Sequence, residues 1–183
     1  TLSHSLRQID EEIDDIRAIE ALIETLKEER SDVRHAAARS LGIRNDLRAI
    51  EPLIAALENN NDTFRRLAAE TLGKMGRPAI EPLAHVLNSK NHKIGIAAAE
   101  ALAFMNEEDA IALLKKALTE NRPNAQIVSA GVLGKSGDTQ SISILLDTLK
   151  RGDSRWHLAA VDALENIGKP ATDLLVENLK SNN

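Results

Sequence analysis

The chain has 183 residues but no cysteine and no tyrosine, and its only large aromatic side chains are Phe64, Phe104 and Trp156. Without cysteine it can form no disulfide framework, no thiolate metal site and no cysteine nucleophile. With so few aromatic rings it also lacks the platforms on which single-stranded nucleic-acid bases stack. Its core must therefore be built from leucine, isoleucine and alanine, which suits closely packed helices.

Long hydrophobic runs and an excess of positive charge are also missing. No apolar run approaches the roughly 18 residues that a membrane-spanning helix needs, and the chain opens with no signal-peptide pattern. The net charge of -5 draws the protein neither to nucleic acid nor to anionic lipid. We therefore expect a cytoplasmic protein that does not enter a membrane.

What the sequence does contain is one block that recurs five times and then begins a sixth copy. The copies start near residues 18, 49, 79, 110 and 141, with half a copy from residue 171. The starts at 49 and 79 read AIEPLI and AIEPLA. A period this regular indicates a stacked array of structural repeats.

Each copy has the pattern of a helix, a turn, a second helix and a turn. In the second copy, Ile50, Leu53, Ile54 and Leu57 fall at helical spacing, and Asp62 is placed to cap the second helix. No strand-like alternation is present, so we predict an all-α solenoid (superhelix) of about five helix pairs plus a C-terminal helix. The second helices are predicted to begin near Ser31, Asp62, Asn91, Arg122 and residues 152–154.

Residues 31–42, which read SDVRHAAARSLG, resemble the signature of the short HEAT-like repeats first named from phycobilisome lyases. The resemblance covers roughly residues 18–183 and implies that the second helices line a concave face. It also implies a structural role for Arg34 and Arg65, because the arginine at this position of the family usually makes hydrogen bonds between repeats. It does not fix the function, since such repeats occur in scaffolds, adaptors and a few enzymes.

Residues 1–17 precede the array and form an acidic helix with a heptad-like apolar seam. No glycine or proline separates this helix from residue 18, so it either continues into the first repeat helix or bends near residues 14–15. We interpret it as a cap over the end of the array. The alternative is a helix that pairs with a second copy to form a homodimer. The seam consists of Leu2, Leu6, Ile9, Ile13 and Ile16.

The histidines do not form a recognisable catalytic or metal-binding pattern. None is followed by glutamate, as in the His-Glu pairs with which the HEAT-repeat deoxyhypusine hydroxylases bind di-iron, and no HExxH motif is present. We therefore expect no catalytic residue, no metal and no cofactor. The five histidines are His4, His35, His85, His92 and His157.

Aligning the copies on Leu41 and its equivalents identifies the columns of the second helices that are expected to face a partner. In the C-terminal half, Ile96, Ile127 and Leu158 would form an exposed aliphatic row that suits the apolar face of a partner helix. If the register is off by one, these residues pack inside instead. The candidate partner-binding residues are His35, Arg39, Arg66, Glu70, Lys93, Ile96, Glu100, Ile127 and Leu158.

These observations favour a non-catalytic scaffold or adaptor that binds a protein or peptide through its concave face. One alternative is an enzyme or enzyme subunit similar to the bilin lyases, which bind a tetrapyrrole and usually act as two-chain assemblies. A second alternative is nucleic-acid binding through the arginines of repeats one and two, although acidic side chains such as Glu70 interrupt that surface.

Overall fold

The computed structural model describes the backbone of residues 2–120, 122–151 and 154–181, and the side-chain surroundings of residues 13–120, 122–151 and 156–176. These residues form α-helices and two short 3-10 helices, Leu47–Ala49 and Arg77–Ala79, and contain no strand. The all-α prediction is confirmed. The α-helices are α1 (Leu2–Thr25), α2 (Ser31–Arg44), α3 (Ile50–Ala56), α4 (Asp62–Met75), α5 (Ile80–Val86), α6 (His92–Met105), α7 (Glu108–Ala117), α8 (Pro123–Lys135), α9 (Thr139–Arg151), α10 (Ser154–Ile167) and α11 (Lys169–Ser181).

The order of the helices follows the repeat, so the fold is an all-α solenoid. Helices α2, α4, α6, α8 and α10 are the second helices of their pairs, and each begins within a residue of its predicted start. Helix α1 is continuous from Leu2 to Thr25, so the N-terminal helix runs on into the first repeat helix. The chain divides into two compact units, residues 1–79 and 80–183, which we call unit 1 and unit 2.

In unit 1 the buried side chains come from both helices of each pair. Ile19 of α1, Leu41 of α2, Leu53 of α3 and Leu72 of α4 are all fully buried. Burial of one such side chain contributes roughly 1.5–3 kcal/mol. Helix α1 packs on α2, α2 packs on α4, and α3 packs on α4, so each element of the unit has a buried face.

The cap of α4 lies one residue earlier than the sequence predicts. Asn61 is the N-cap, and its side-chain oxygen accepts a hydrogen bond of 3.0 Å from the backbone N–H of Phe64. The prediction that Asp62 caps this helix is therefore wrong. Asp62 is the first helical residue, and its carboxylate pairs with Arg65 three residues on.

In unit 2, helix α8 is enclosed by its neighbours and packs against α6, α7, α9 and α10. Ten of its 13 residues are buried, among them Ile127 at 1% exposure. Two glycines allow the close approach of α10. A Cβ atom at Gly131 would lie 3.2 Å from the Cβ of Ala163, and one at Gly134 would lie 2.4 Å from Cδ1 of Ile167.

The burial of Ile127 overturns one expectation from the sequence. Ile96 is half-buried and Leu158 is 70% exposed. Ile127, which lies between them in the sequence, is inaccessible to solvent. The predicted row of three exposed aliphatic side chains is wrong at its central member. Because a buried side chain cannot contact a partner, Ile127 is a core residue of unit 2.

In repeats one and two, an arginine of the second helix donates hydrogen bonds to carbonyl groups of the turn between the two helices. Nη1 of Arg34 donates to the carbonyl oxygens of Glu28 and Glu29, at 2.5 and 2.7 Å. Arg65 donates in the same way to the carbonyl oxygen of Asn59. The structural role that the resemblance implies for these arginines is confirmed, but their hydrogen bonds lie within one repeat. Arg34 also contacts the next repeat, because its guanidinium lies over the ring of Phe64, 5.2 Å from the ring centroid.

We predict that Arg65→Met destabilises the protein by about 1–3 kcal/mol, because the carbonyl group of Asn59 loses its donor in a partly buried hydrogen bond. The matched control is Arg66→Met. Arg66 is next in sequence but exposed, and its ion pair with Glu70 spans 4.0 Å, so its removal is expected to change stability by less than about 0.5 kcal/mol. Urea unfolding followed by circular dichroism measures both variants. Equal losses would contradict the role of the turn.

The first 3-10 helix of unit 1 is capped by a carboxylate. Asp46 accepts hydrogen bonds from the backbone N–H of Arg48 at 2.9 Å and from its guanidinium at 2.9 and 2.5 Å. The hydrogen bonds from the Arg48 guanidinium are the main reason that the pKa of Asp46 lies well below its ordinary value, at about 2. The bond from the backbone N–H of Arg48 lowers the pKa further. The ionised carboxylate therefore stabilises the folded state.

We predict that Asp46→Asn lowers stability at pH 7 by no more than about 1 kcal/mol, because the pair is partly open to solvent. The folded-state pKa lies below the unfolded value. The stabilisation by Asp46 is therefore fully present above about pH 4 and is lost as the pH falls toward about 2. Denaturant unfolding at a series of pH values should show the two proteins converging over this range. A difference that stays constant with pH would contradict the assignment.

Candidate partner-binding surfaces

A small depression opens on the second helices of unit 2, between α6, α8 and α10. It encloses about 40 Å³. This is room for a few water molecules or the end of one side chain, and it is far smaller than the roughly 300–1,000 Å³ of sites for organic ligands. The depression is lined by Ile96, Val128, Gly131, Val132 and Ala163, with His92, Lys135, Asp162 and Asn166 as its polar members.

The sequence of α8 explains how this depression forms. Val128, Gly131, Val132 and Lys135 are spaced 3, 1 and 3 residues apart, so they share one helix face. Gly131 has no side chain to occupy the space that the two valines border. The face of α8 that lines the depression is therefore shifted by one residue along the chain from the predicted face. It contains Val128, whereas the prediction placed Ile127 there.

A hydrogen-bond network fixes one wall of the depression. Gly95 stands where the earlier repeats have Arg34 and Arg65, so the turn of this repeat lacks an arginine donor. Asn124 of α8, which is 5% exposed, replaces it and donates from Nδ2 to the carbonyl oxygen of Ser89. A Cβ atom at residue 95 would lie 3.3 Å from that Nδ2, so the glycine makes space for the amide.

The same network determines the tautomer of His92. Because a carbonyl oxygen can only accept, the Asn124 amide must direct Nδ2 toward Ser89 and Oδ1 toward His92. Nδ1 of His92 lies 2.6 Å from that Oδ1 and therefore carries the proton that it donates. In the neutral ring, Nε2 is then left as a hydrogen-bond acceptor beside the depression.

One cation, Lys135, and two anions, Glu100 and Asp162, lie at or beside the depression. Nζ of Lys135 on α8 lies 3.3 Å from Oε1 of Glu100 on α6, and both side chains are about two-fifths exposed. Such an exposed pair adds little stability but holds both side chains in place. Asp162 and Asn166 follow on α10. Phe104, one turn after Glu100, is 53% exposed, and Leu158, one turn before Asp162, is 70% exposed.

Unit 1 has a larger groove between its second helices, α2 and α4. It encloses about 410 Å³. Ile43 is 86% exposed and Leu67 is half-buried, so the groove has an apolar lining. Three charged residues, Arg39, Glu70 and Lys74, also line it. Its full lining is Arg39, Gly42, Ile43, Leu67, Glu70, Thr71 and Lys74.

The predicted site residues lie in different surroundings in the structure. In unit 1, Arg39 and Glu70 line the groove, and Arg66 pairs with Glu70. His35 is partly buried, with its ring 5.4 Å from the ring of Phe64. In unit 2, Ile96 lines the depression, and Glu100 is held by one of its lining residues. Lys93 and Leu158 are exposed, and Ile127 is buried.

Several residues of these surfaces do not appear in the prediction from the sequence. In unit 1 they are Ile43 and Lys74, which occupy one repeat position at the last turn of the second helix. The equivalent position in unit 2 holds Phe104 and Lys135, so an extension of the repeat columns by one turn would have identified all four. His92 carried no such signal, because its partner Asn124 lies 32 residues away.

The part of the chain that the structure describes carries no metal-binding cluster. No group of three or more His, Asp or Glu side chains there is arranged to hold a metal ion. The side chain of His4 lies outside the described residues. None of the described helices has the length and apolar character that crossing a membrane requires.

A family model of HEAT repeats matches residues 3–70 and 50–130. These ranges together cover more than half of the chain, which therefore belongs to the HEAT repeat family. The resemblance seen in residues 31–42 is thus confirmed. No curated protein matches the chain.

Solved structures with some likeness to the chain include a natural and an engineered protein. The first is the complex of CpcE and CpcF of phycocyanin lyase from Nostoc sp. PCC7120, with 26% identity over 90% of this chain and 71% of that chain, and a TM-score of 0.41. The second is an engineered protein, with 22% identity over 87% of this chain and 84% of that chain, and a TM-score of 0.38.

We predict that Asn124→Ala changes the tautomer of His92 and destabilises the protein by about 1–3 kcal/mol, because the carbonyl group of Ser89 loses its donor in a partly buried hydrogen bond. In the wild-type protein, nitrogen NMR shifts at neutral pH should show the proton on Nδ1 of His92. In the variant it should move toward Nε2. The exposed His85 serves as an internal control that should not change. An unchanged His92 tautomer would contradict the network.

Proposed function

We propose that the chain is a non-catalytic scaffold or adaptor that binds a partner protein through the second helices of its repeats. The observation that carries the proposal is the size and lining of the depression in unit 2. At about 40 Å³ it suits the end of one aliphatic side chain, and its apolar members Ile96, Val128 and Val132 would surround that side chain.

Two exposed side chains on helices that border the depression support the same function. Phe104 and Leu158 are large apolar side chains that are more than half exposed, on α6 and α10 of the same unit. Apolar anchors around a small pocket, with charged residues at the edge, are typical of the centre of a protein interface. The ion pair of Lys135 with Glu100 would then orient a partner more than it would add affinity.

The two alternative functions receive less support. The unit 2 depression has no room for the tetrapyrrole that a bilin-lyase-like activity would need, so a tetrapyrrole would have to bind elsewhere on the chain. Of the four arginines that favoured nucleic acid, Arg34 and Arg65 are engaged with turn carbonyl groups. Only Arg39 and Arg66 remain exposed, which is a small basic patch on an acidic protein.

The test compares the wild-type protein with Phe104→Asp combined with Leu158→Asp as baits for affinity capture from a lysate of the source organism. The matched control is Leu47→Asp, at a 60% exposed leucine outside both surfaces. A specific partner, identified by mass spectrometry and purified, is expected to bind the double variant at least about tenfold more weakly than the control, because two apolar anchors are lost.

Two results would contradict the proposed function. A partner that binds the folded double variant as tightly as the wild type would exclude this surface. A shift in the absorbance of a free tetrapyrrole on mixing with the protein would favour the lyase alternative. Circular dichroism of each variant establishes that it is folded before binding is measured.

Two further expectations stay predictions. Homodimerisation through α1 is supported by Ile13 and Ile16, which are 39% and 37% exposed. Sedimentation at several concentrations tests it. The cytoplasmic location is tested by fractionation of the source cells.

A further inference from the structure

The groove of unit 1 has an apolar lining although a polar residue, Thr71, is part of it. The hydroxyl of Thr71 donates to the carbonyl oxygen of Leu67 at 2.7 Å, within α4. Its methyl carbon Cγ2 faces Gly42, since a Cβ atom built there would lie 2.9 Å away. Gly42, Leu67, the Thr71 methyl group and Ile43 therefore give the groove a continuous apolar character, and 410 Å³ is ample for an aliphatic side chain.

The charges around this groove do not balance. Nε of Arg66 lies 4.0 Å from Oε1 of Glu70, so the carboxylate has a positive neighbour on its own helix. Arg39 and Lys74 are exposed and line the groove. Neither side chain makes a hydrogen bond or an ion pair with any residue that the structure describes. The groove is therefore locally cationic, although the whole chain carries a net charge of -5.

This combination differs from the depression in unit 2. There the lysine, Lys135, is paired with Glu100, and Asp162 adds a negative charge. Of these two surfaces, the groove of unit 1 is the one that offers unpaired cations beside an apolar lining. The charge of a partner should therefore matter in unit 1 more than in unit 2.

We propose that the unit 1 groove binds an acidic segment of a partner protein, with one aliphatic side chain of that segment between Ile43 and Leu67. Arg39 and Lys74 would each face a carboxylate. At physiological ionic strength such attraction is screened beyond about 8 Å, so the carboxylates should lie within about one helical turn of the aliphatic residue. The absence of aromatic rings from the groove lining disfavours nucleic acid, which would need stacking as well as charge. This inference rests on the proposed function and adds the chemistry of a partner.

The test uses three synthetic peptides of equal length and the purified full chain. The first carries a central leucine flanked by glutamates, the second a central leucine flanked by lysines, and the third a central alanine flanked by glutamates. Fluorescence anisotropy of labelled peptides gives each Kd. The first peptide is expected to bind at least about tenfold more tightly than either of the others. The lysine peptide loses several exposed ion pairs and the alanine peptide loses one buried leucine, and each loss corresponds to about that factor.

Charge-reversal variants assign the binding to the groove. Arg39→Glu with Lys74→Glu is expected to weaken the first peptide at least about tenfold and to reduce its dependence on salt. The matched control is Arg17→Glu with Lys27→Glu, which reverses two exposed cations on and just after α1 and should change the Kd less than about twofold. If the reversed protein is not folded, Arg39→Gln with Lys74→Gln replaces it.

The inference is overturned if the glutamate and lysine peptides bind equally, or if the folded groove variant binds the first peptide like the control. It is also overturned if single-stranded DNA binds this groove more tightly than the first peptide. These failures are distinct from failure of the proposed function. A natural partner that depends on Phe104 and Leu158 but not on Arg39 and Lys74 would retain the function and remove only this inference.

Discussion

The structure depends on how each repeat satisfies the carbonyl groups of the turn between its two helices. Such groups are costly to leave without a donor, and each of the first four repeats has a side chain that reaches them. Arg34 and Arg65 do this in the first two repeats, and Gln126 does it at the same position of the fourth, where its amide donates to the carbonyl oxygen of Leu118 at 2.6 Å. The third repeat has Gly95 there and takes its donor, Asn124, from the following helix.

This constraint separates the positive charges that hold the fold from those that remain for a partner. An arginine at the turn position is engaged with backbone oxygens and cannot also present its guanidinium to a ligand. Arg39 and Lys74, which lie farther along the second helices of unit 1, are exposed and line its groove. A count of arginines in the sequence therefore overstates the basic surface, which is why the nucleic-acid alternative loses support once the hydrogen bonds are known.

The sequence predicted the repeat, the helix pairs and the starts of the second helices, because these follow from local spacing and turn chemistry. It could not predict the burial of Ile127. That residue falls in the column of Arg66 and Leu158, which are exposed. Ile127 differs because Gly131 and Gly134 allow α10 to approach α8 closely, and this approach is a property of packing between helices. The error over the cap of α4 is smaller, since Asn61 and Asp62 are adjacent and both can cap a helix.

The glycines of the third and fourth repeats have one further consequence for function. Where the earlier repeats have Arg34 and Arg65, Gly95 admits the amide of Asn124, and Gly131 lets Ala163 of α10 come close to α8. The surface of unit 2 is therefore defined by its shape and its apolar lining, with its lysine already paired. The surface of unit 1 keeps its turn arginines and presents unpaired cations beside a wider groove. Departures from the repeat pattern thus give two surfaces of different chemistry to one family of helices, and these departures, more than the repeat itself, would determine what the protein binds.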